Sequence, residues 1–403
     1  MYTKSEVIDF IKEEDVKFIR LAFITLDGKQ KNISIMPDKL EDAFSNGISF
    51  DASSIEGFQT PDKSDMFLHP DPATLSIIPW RPSTGKVVRM FCDITYPDGT
   101  PYEKDCRHLL KKAVALAKNK YQVDLMFGSE IEFYLFKLDE NGKSNKEPFD
   151  QAGYMDIAPE DKGENIRREI CFTLEQMGIS PESSHHEEGP GQNEIDFHYG
   201  NALASADNTI TFKWIVRTKA AANGLYADFS PKPFPNKPGS GMHINISCHN
   251  IADSEKDYTN QMLAGIIKHI KEITLFLNPS ENSYHRIGEC KAPKYISWAK
   301  ENRSALIRIP ASKNEKRIEL RSPDPKANPY LAFTLLIHAA IEGIRENLVA
   351  PESIEENLFS QSAASRKTLE SIPGSFEEAK KIAANSDFVK EVLGESLLKA
   401  YLN

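Results

Sequence analysis

The order of apolar and polar positions predicts short strands and helices up to residue 96, followed by a turn cluster. We expect helices over 4–14 and 37–46, and strands over 18–25, 31–36, 74–79 and 87–94. The cluster Pro-Asp-Gly-Thr-Pro at 97–101 interrupts this pattern, and a helix is predicted over 104–119. The chain has 403 residues, more than one hydrophobic core usually holds. We therefore predict two domains, 1–98 and 99–403.

Beyond the turn cluster, segments with a strand period alternate with segments with a helix period. The predicted strands are 123–137, 192–198, 241–248, 305–309 and 316–321, and the predicted helices are 162–177, 203–222, 254–276 and 328–346. The tail from about 354 is predicted to be helical and charged, with a break at 373–374.

Composition narrows the class of protein. The net charge of −10 argues against nucleic acid or an anionic membrane as the main partner. No stretch approaches the roughly 20 apolar residues of a membrane span, and the N-terminus has no apolar signal segment. The five cysteines are far apart, which indicates reduced thiols and a cytoplasmic location.

Two glutamates share one face of the strand predicted over 123–137. Glu130 and Glu132 are two positions apart, so both carboxylates point into the same space. Two like charges there repel each other unless a positive group lies between them. Hard divalent cations prefer oxygen ligands, so this pair predicts a metal site.

The densest polar run is 185–194, where a Gly-Pro-Gly turn separates two acids. Such a turn would let Glu187 fold back beside Glu194, although a polar surface turn before a strand has the same signature. The run is not a dinucleotide-binding fingerprint, because it lacks a third glycine and leads into a strand.

The segment 239–247 places His243 on a strand directly after a pair of glycines. His243, Asn245 and Ser247 share one face, and the apolar residues between them share the other. A lone strand histidine is more often structural than a ligand, but the glycines would let the backbone approach a ligand closely. The chain has no P-loop motif, so a bound nucleotide would be held by other means.

Arginines accumulate near a further acid. Arg317, Glu319 and Arg321 share one face of a predicted strand, which alone would indicate a solvated row of ion pairs. The segment before it contributes three more guanidiniums: Arg286, Arg303 and Arg308. Arginine grips phosphate or carboxylate with two hydrogen bonds, so the group as a whole predicts an anionic substrate.

In order along the chain, these motifs resemble those of glutamine synthetase of the bacterial type I class, from about residue 5 to the C-terminus. The matching segments are 50–58, 64–66, 128–133, 185–194, 239–247, 302–310, 317–325 and 328–330. The resemblance implies an α+β fold, with a small N-terminal β-grasp-like domain and a large catalytic domain whose curved antiparallel sheet is flanked by helices. It also implies a homo-oligomer, a dodecamer of two hexameric rings, in which a neighbouring subunit would donate Asp51 and Asp65 to each active site.

The activity implied by the resemblance is ATP-dependent ligation of ammonia to the γ-carboxylate of L-glutamate through γ-glutamyl phosphate. The implied cofactors are two or three Mg²⁺ or Mn²⁺ ions, one held by Glu132, Glu187 and Glu194 and another by Glu130, His243 and Glu319. The implied substrate-binding residues are Asp65, Gly239, Arg286, Arg303 and Arg321. The implied ATP-binding residues are Glu182, Ser247, Arg308 and Arg317.

The flap at 286–293 departs from the family pattern. Lys291 stands where the family has a glutamate that helps deprotonate ammonium, and a cation there would repel that substrate. Glu289 would take over the role if the flap bends, beside the other catalytic candidates, Asp51 and Arg303. Three interpretations stay open: a glutamate–ammonia ligase, a γ-glutamyl ligase for an organic amine, and a weakened regulatory homologue. The intact metal and arginine positions favour the ammonia ligase.

Two further departures concern regulation and assembly. Phe359 stands where some relatives have a tyrosine that is adenylylated, and phenylalanine has no hydroxyl to modify. This favours the subclass without that covalent control. The sequence stops at Asn403, before the helix that locks two rings together in relatives, so a single hexameric ring is an alternative to the dodecamer.

Overall fold

The computed structural model describes residues 2–81, 84–253, 255–312, 316–360 and 369–403. Within these ranges the chain forms a small sheet near its N-terminus and a larger sheet covered by helices. None of the described helices is both long and apolar enough to cross a membrane.

The small sheet contains the first six strands: β1 (Val16–Ile24), β2 (Gln30–Ile35), β3 (Ile48–Asp51), β4 (Asp65–Pro70), β5 (Ser76–Ile77) and β6 (Lys86–Thr95). Their order is β2-β1-β6-β4-β3, with β5 paired to β6; β1 and β6 run parallel, and the other pairs are antiparallel. Two helices accompany it, α1 (Lys4–Glu13) and α2 (Leu40–Asn46). Helix α1 begins at a capping box formed by Thr3 and Glu6, and it buries Val7 and Ile11 one turn apart.

The large sheet is built around one long strand, β7 (Val123–Leu138). Its other strands are β8 (Ser144–Pro148), β9 (Pro181–His186), β10 (Gln192–Phe197), β11 (Gly200–Asn201), β12 (Leu225–Asp228), β13 (Met242–Asn250), β14 (Trp298–Lys300), β15 (Ile307–Ile309) and β16 (Ile318–Leu320). Its main order is β14-β15-β16-β13-β7-β10-β9, and all pairs except β14–β15 are antiparallel.

Helices cover the apolar face of this sheet. They are α3 (Cys106–Tyr121), α4 (Glu164–Gln176), α5 (Ala202–Ala222), α6 (Thr259–Leu277), α7 (Glu281–Arg286), α8 (Pro329–Arg345), α9 (Phe376–Asn385), α10 (Asp387–Leu393) and α11 (Glu395–Leu402). On β13 the apolar positions Met242, Ile244 and Ile246 are fully buried in the core, as the alternation predicts. The opposite face of the sheet therefore carries the polar side chains.

Most predicted elements form within two to four residues of the expected bounds, but several differ. The strand expected over 74–79 is only two residues long, because Pro72 starts a 3₁₀ turn that ends at Thr74. The helix expected from 254 begins at Thr259, and Ser254 lies outside the described residues. Part of the predicted helical tail, 361–368, also lies outside them, whereas the rest of the tail contains α9 to α11.

A buried network of charges, which we call the Arg107 network, joins the small sheet to the helices. Arg107, on α3, is 1% exposed and donates to three carboxylates: to Asp207 at 2.9 and 3.0 Å, to Asp71 at 2.9 Å and to Asp93 at 3.3 Å. The remaining members are Lys111, which pairs with Asp93 at 2.7 Å, and Tyr330, whose hydroxyl donates to Asp207 at 2.6 Å. Asp71 and Asp93 belong to the small sheet's segment and Asp207 to α5, so the network ties the two parts of the chain together.

Candidate active site

Strand register brings acids from distant parts of the sequence to one face of the large sheet. His243 on β13 lies opposite Glu130 on β7, and Glu194 on β10 lies opposite Glu132. Glu319 on β16 lies opposite Asn245 on the next strand. Residues that are far apart in the chain thus become direct neighbours across the sheet.

The first cluster consists of Glu130, His243 and Glu319. One ligand atom from each lies within 4.8 Å of the others, and the Nδ1 atom of His243 is 3.4 Å from Glu130 and 3.7 Å from Glu319. Burial raises the pKa of Glu130, but hydrogen bonds from His243 and Asn245 outweigh it and lower this pKa to about 2. Two carboxylates with one imidazole suit Mg²⁺ or Mn²⁺, so the residues present fit a divalent cation.

The second cluster contains Glu187 and Glu194, as the Gly-Pro-Gly turn suggests, together with His185. One ligand atom of each lies within 4.8 Å of the others. Glu132 lies outside this tight group, and its Oε2 atom accepts hydrogen bonds from the Gly241 amide at 2.8 Å and from the Gln192 side chain at 3.0 Å. The donor set of two carboxylates and one imidazole again fits a divalent cation.

Glu132 nevertheless belongs electrostatically to the second cluster. Burial raises the pKa of Glu132, and the charge of Glu187 adds to this effect. The pKa of Glu194 is raised well above its usual range by burial first and then by the charge of Glu132. Among the described residues, no lysine or arginine pairs with Glu132, Glu187 or Glu194. This side of the site therefore carries negative charge that the chain itself does not neutralise.

His185, Gln192 and Asn245 take part in the site without an assigned role from the sequence. His185 is 3.0 Å from the Glu187 carboxylate, and it lies opposite Glu194 in the strand register. Gln192 joins Glu132 to the Gly239 carbonyl. Asn245 donates to Glu130 at 2.8 Å and accepts from Arg317 at 2.9 Å. The two-residue alternation linked Asn245 to His243 in the sequence, whereas His185 was not linked to Glu187, because β9 was not predicted.

Two arginines neutralise the inner end of the first cluster. Glu319 is 1% exposed, and its two oxygens accept from Arg308 at 2.7 Å and from Arg321 at 2.6 Å. Arg317 reaches the same region through Asn245. The guanidiniums thus lie at one end of the acid face, and the Nε atoms of Arg308 and Arg321 are buried there without a hydrogen-bond partner among the described residues.

Close approach of the backbone explains the glycines of 239–241. A Cβ atom on Gly241 would lie 2.7 Å from the Arg286 guanidinium and 2.8 Å from the His243 ring. A Cβ atom on Gly239 would lie 2.4 Å from the Pro231 carbonyl. Arg286 is buried, and it donates to the Ser322 carbonyl at 2.8 Å. The glycines are therefore required for Arg286 to pack beneath this loop.

The remaining candidates lie further from the acids. Glu182, on β9, pairs with His198 at 2.8 Å, and the Ser247 hydroxyl is 3.2 Å from the His249 ring. Asp51 and Asp65 are exposed and lie opposite each other on β3 and β4. The pKa of Asp51 is lowered, chiefly by hydrogen bonds from Ser53 and then Ser54. No hydrogen bond or ion pair of the described residues joins Asp51 or Asp65 to the acids of the large sheet.

The flap residue Lys291 forms an ion pair with Glu188, the residue that follows Glu187. The Lys291 side chain is 61% exposed. Glu289 is also exposed, but it has no ion pair within the described chain. Arg303 is also exposed. Tyr154 lies at the same rim, where its ring contacts the His185 ring. The pKa of Tyr154 is raised, first by burial and then by the charge of Glu187, and the charge of Arg303 lowers it in part.

Two oxygen-rich clusters beside a row of arginines define a class of protein: a divalent-cation-dependent enzyme acting on anionic substrates. The glutamine synthetase β-grasp domain matches residues 15–97, and the glutamine synthetase catalytic domain matches residues 103–403. The chain therefore belongs to the glutamine synthetase family, and the expected α+β architecture is confirmed.

Relatives and solved structures agree over nearly the full length. The chain is 43% identical to the glutamine synthetase of Clostridium saccharobutylicum, covering 100% of this chain and 94% of the relative. It is 45% identical to that of Methanosarcina mazei, covering 99% and 92%. A solved structure titled "GmaS/ADP complex-Conformation 1" matches at 28% identity with a TM-score of 0.88, covering 98% of this chain and 93% of that one. These relatives support the predicted activity, so the chain is a glutamate–ammonia ligase that consumes ATP.

Proposed function

We propose that the two clusters hold the divalent cations with which this ligase forms glutamine from glutamate, ammonia and ATP. Glu130, His243 and Glu319 would hold one cation; Glu187 and Glu194 would hold another, with Glu132 or His185 as the third ligand. The observation that carries this proposal is the uncompensated charge of Glu132, Glu187 and Glu194 on a face that also presents arginines. A bound Mg²⁺ or Mn²⁺ would supply neutralisation of phosphate charge.

The arginines would orient the two anionic substrates. Arg308 and Arg317 would face the ATP phosphates, together with Ser247 on β13 and Glu182 on β9, at the other end of the sheet. Arg286, Arg303 and Arg321 would hold glutamate, with the Gly239 backbone close to it. Transfer of the γ-phosphoryl group to the γ-carboxylate gives γ-glutamyl phosphate, and this step depends mainly on positioning and charge stabilisation.

Ammonia would then attack the acyl carbon of γ-glutamyl phosphate and displace phosphate. The Lys291 charge is paired with Glu188, which is compatible with ammonium as a substrate, because a paired cation repels ammonium less than a free one. Asp51 and Glu289 are the proposed acids for binding and deprotonating ammonium, and Asp65 would contact substrate.

We also propose that a neighbouring subunit completes the site. Asp51 and Asp65 are exposed on the small sheet and have no contact with the acids of the large sheet in the described chain, which supports donation across a subunit interface. A dodecamer of two hexameric rings fits this arrangement, and a single hexamer also provides the interface. The five free cysteines are consistent with a cytoplasmic protein.

The test is ADP release by the purified protein with glutamate, ATP, Mg²⁺ or Mn²⁺, and ammonium. We expect ADP release to require all four, and glutamine to form in equal amount. A panel of organic amines in place of ammonium separates the two ligases. Faster turnover with an organic amine would overturn the assignment of ammonia, and ADP release with no amine dependence would overturn the ligase chemistry at this site.

A further inference from the structure

A second group of buried polar side chains lies behind the turn that carries Glu187. It consists of Asp150, Asp161, Arg167, His186 and Asn193, all of which are buried. None of them has a place in the proposed chemistry. They come from the loop after β8, from α4 and from the adjoining strands β9 and β10, so they connect three parts of the fold at one point.

His186 is the centre of this group. It is fully buried and faces an acceptor at each ring nitrogen: Nδ1 donates to the Glu187 carbonyl at 2.6 Å, and Nε2 donates to Asp150 at 2.8 Å. Asp150 also accepts from the Gly191 amide at 2.9 Å and from the Lys162 amide at 3.1 Å. The Asp150 carboxylate therefore fixes both ends of the turn. It holds residue 187 through the His186 ring, and it holds residue 191 by a direct hydrogen bond to the backbone amide.

Arg167 and Asn193 hold the far end of the same turn. Arg167 pairs with Asp161 and donates to the Asn193 side chain at 2.6 Å. Asn193 in turn donates to the Gly191 carbonyl at 3.0 Å. A Cβ atom on Gly191 would lie 2.8 Å from the Leu135 carbonyl, and the residue has a positive φ of 71°, so the turn has little freedom to shift.

Asp150, Asp161 and His186 present ligand atoms within 4.8 Å of one another, as a metal site would. Those atoms are already used, because Asp150 accepts from His186 and three backbone amides, and both Asp161 oxygens accept from Arg167. All hydrogen-bonding atoms of the group that face the turn are paired, and only the Arg167 Nε atom lacks a partner within the described chain; a buried polar network of this kind rigidifies its surroundings. The group is thus a support for the neighbouring cluster.

We infer that Asp150 and His186 are positioning residues that set the backbone of Glu187, so that its carboxylate stays beside Glu194. This inference rests on the proposed function, in which Glu187 is a metal ligand. Groups that orient the ligands of a metal typically change its affinity about 10–100-fold when they are removed. Substituting either residue should therefore weaken cation binding at the second cluster. Cation binding at the first cluster, Glu130, His243 and Glu319, should stay unchanged.

The experiment is a titration of the full-length, metal-free protein with Mn²⁺, followed by electron paramagnetic resonance. We expect Asp150→Asn to weaken one class of Mn²⁺ site about 10–100-fold and to leave the other unchanged. The apparent KM for Mn²⁺ should rise by the same factor, while kcat at saturating Mn²⁺ stays close to that of the unmodified protein. His186→Gln, which removes the ring between Asp150 and the Glu187 carbonyl, should give the same split.

The matched control is Asp105→Asn. Asp105 is equally buried and accepts backbone amides at the start of α3, but it has no contact with the turn. It should lower Tm and leave both Mn²⁺ affinities unchanged. Asp150→Asn with both affinities within about twofold of the unmodified protein would overturn the inference, and His186→Gln decides the question if Asp150→Asn does not fold. If the unmodified protein itself binds no Mn²⁺, the proposed function fails instead.

Discussion

The Arg107 network and the acid face of the large sheet are both built from buried and partly buried carboxylates, but their charges are balanced differently. In the network, Asp71, Asp93 and Asp207 meet Arg107 and Lys111 at ion-pair distances. On the acid face, Glu319 has arginine partners, whereas Glu132, Glu187 and Glu194 have no lysine or arginine partner in the described chain. In the network each carboxylate has a cationic partner, whereas the raised pKa of Glu132 and of Glu194 shows that their charged forms are disfavoured until a positive group binds beside them.

The largest effect is expected where the balanced network is broken. Arg107→Met would leave Asp207 without its ion-pair partner and Asp71 and Asp93 with Lys111 alone, and removing one member of a buried ion pair typically costs about 3–5 kcal/mol. We expect a correspondingly lower Tm, measured by calorimetry, with the same kcat for the fraction that remains folded. A Tm within about 2 °C of the unmodified protein would show that Lys111 and water replace the guanidinium.

Removing charge from the acid face is expected to lower the activity and to raise the stability of the metal-free protein. Glu194→Gln should lower kcat/KM by about 100-fold or more, because a proposed metal ligand is lost and such a cation supplies several kcal/mol in the transition state. The metal-free protein should become more stable at neutral pH, because burial and the neighbouring carboxylates raise the pKa of Glu194 and so disfavour its charged form in the folded state. Calorimetry without metal, and ADP release with it, measure the two changes. Lower stability in the metal-free state would contradict the view that this face is destabilised by its own charge.

Adding Mn²⁺ should reduce the difference in charge balance between the Arg107 network and the acid face. A cation at 100 times its Kd stabilises the folded state by about 2.7 kcal/mol, which for a chain of this size is several degrees in Tm. We expect this increment in the unmodified protein and also in Arg107→Met, because the network is remote from the acid face. Glu194→Gln should show a smaller increment, and an equal one would place the cation elsewhere.

The smallest effect is expected at the flap. Lys291→Glu removes an exposed ion pair with Glu188, so Tm should change little. The apparent KM for ammonium should fall by no more than about 30-fold, because the substitution changes the local charge by two units and each unit charge at about 4 Å in water contributes about 1 kcal/mol. Initial rates at varied ammonium measure this change, with Lys294→Glu as a nearby control on the same exposed segment. An unchanged KM and rate would show that position 291 does not limit ammonium binding.

The elements with clear alternation were predictable, and those without it were not. Strands β7 and β13 were predicted because apolar and polar positions alternate along them. Strand β9, with the sequence Pro-Glu-Ser-Ser-His-His, was missed because it has no apolar position to mark the buried face. Strands β3 and β4 were also missed, and with them the pairing of Asp51 with Asp65.

Within the candidate site, local spacing predicted the facing of Glu130 and Glu132 and the return of Glu187 beside Glu194. It did not predict that Glu132 would accept hydrogen bonds from Gln192 and the Gly241 amide, because those partners lie on other segments of the chain. The Arg107 network was likewise absent from the predictions, since Arg107 appears in the sequence as one more basic residue of a helix. The division at residue 98 and the roles of the individual side chains stay predictions.

The sequence by itself determined which side chains share a face, because the two-residue period of a strand is a local property of the backbone. It also carried the motifs that identify the family. Only the tertiary structure decided which faces meet: strand register placed His243 against Glu130 and Glu194 against Glu132. Register depends on hydrogen bonds and packing between segments far apart in the chain. The same long-range contacts decide which carboxylates meet a lysine or arginine and which are left to bind a cation.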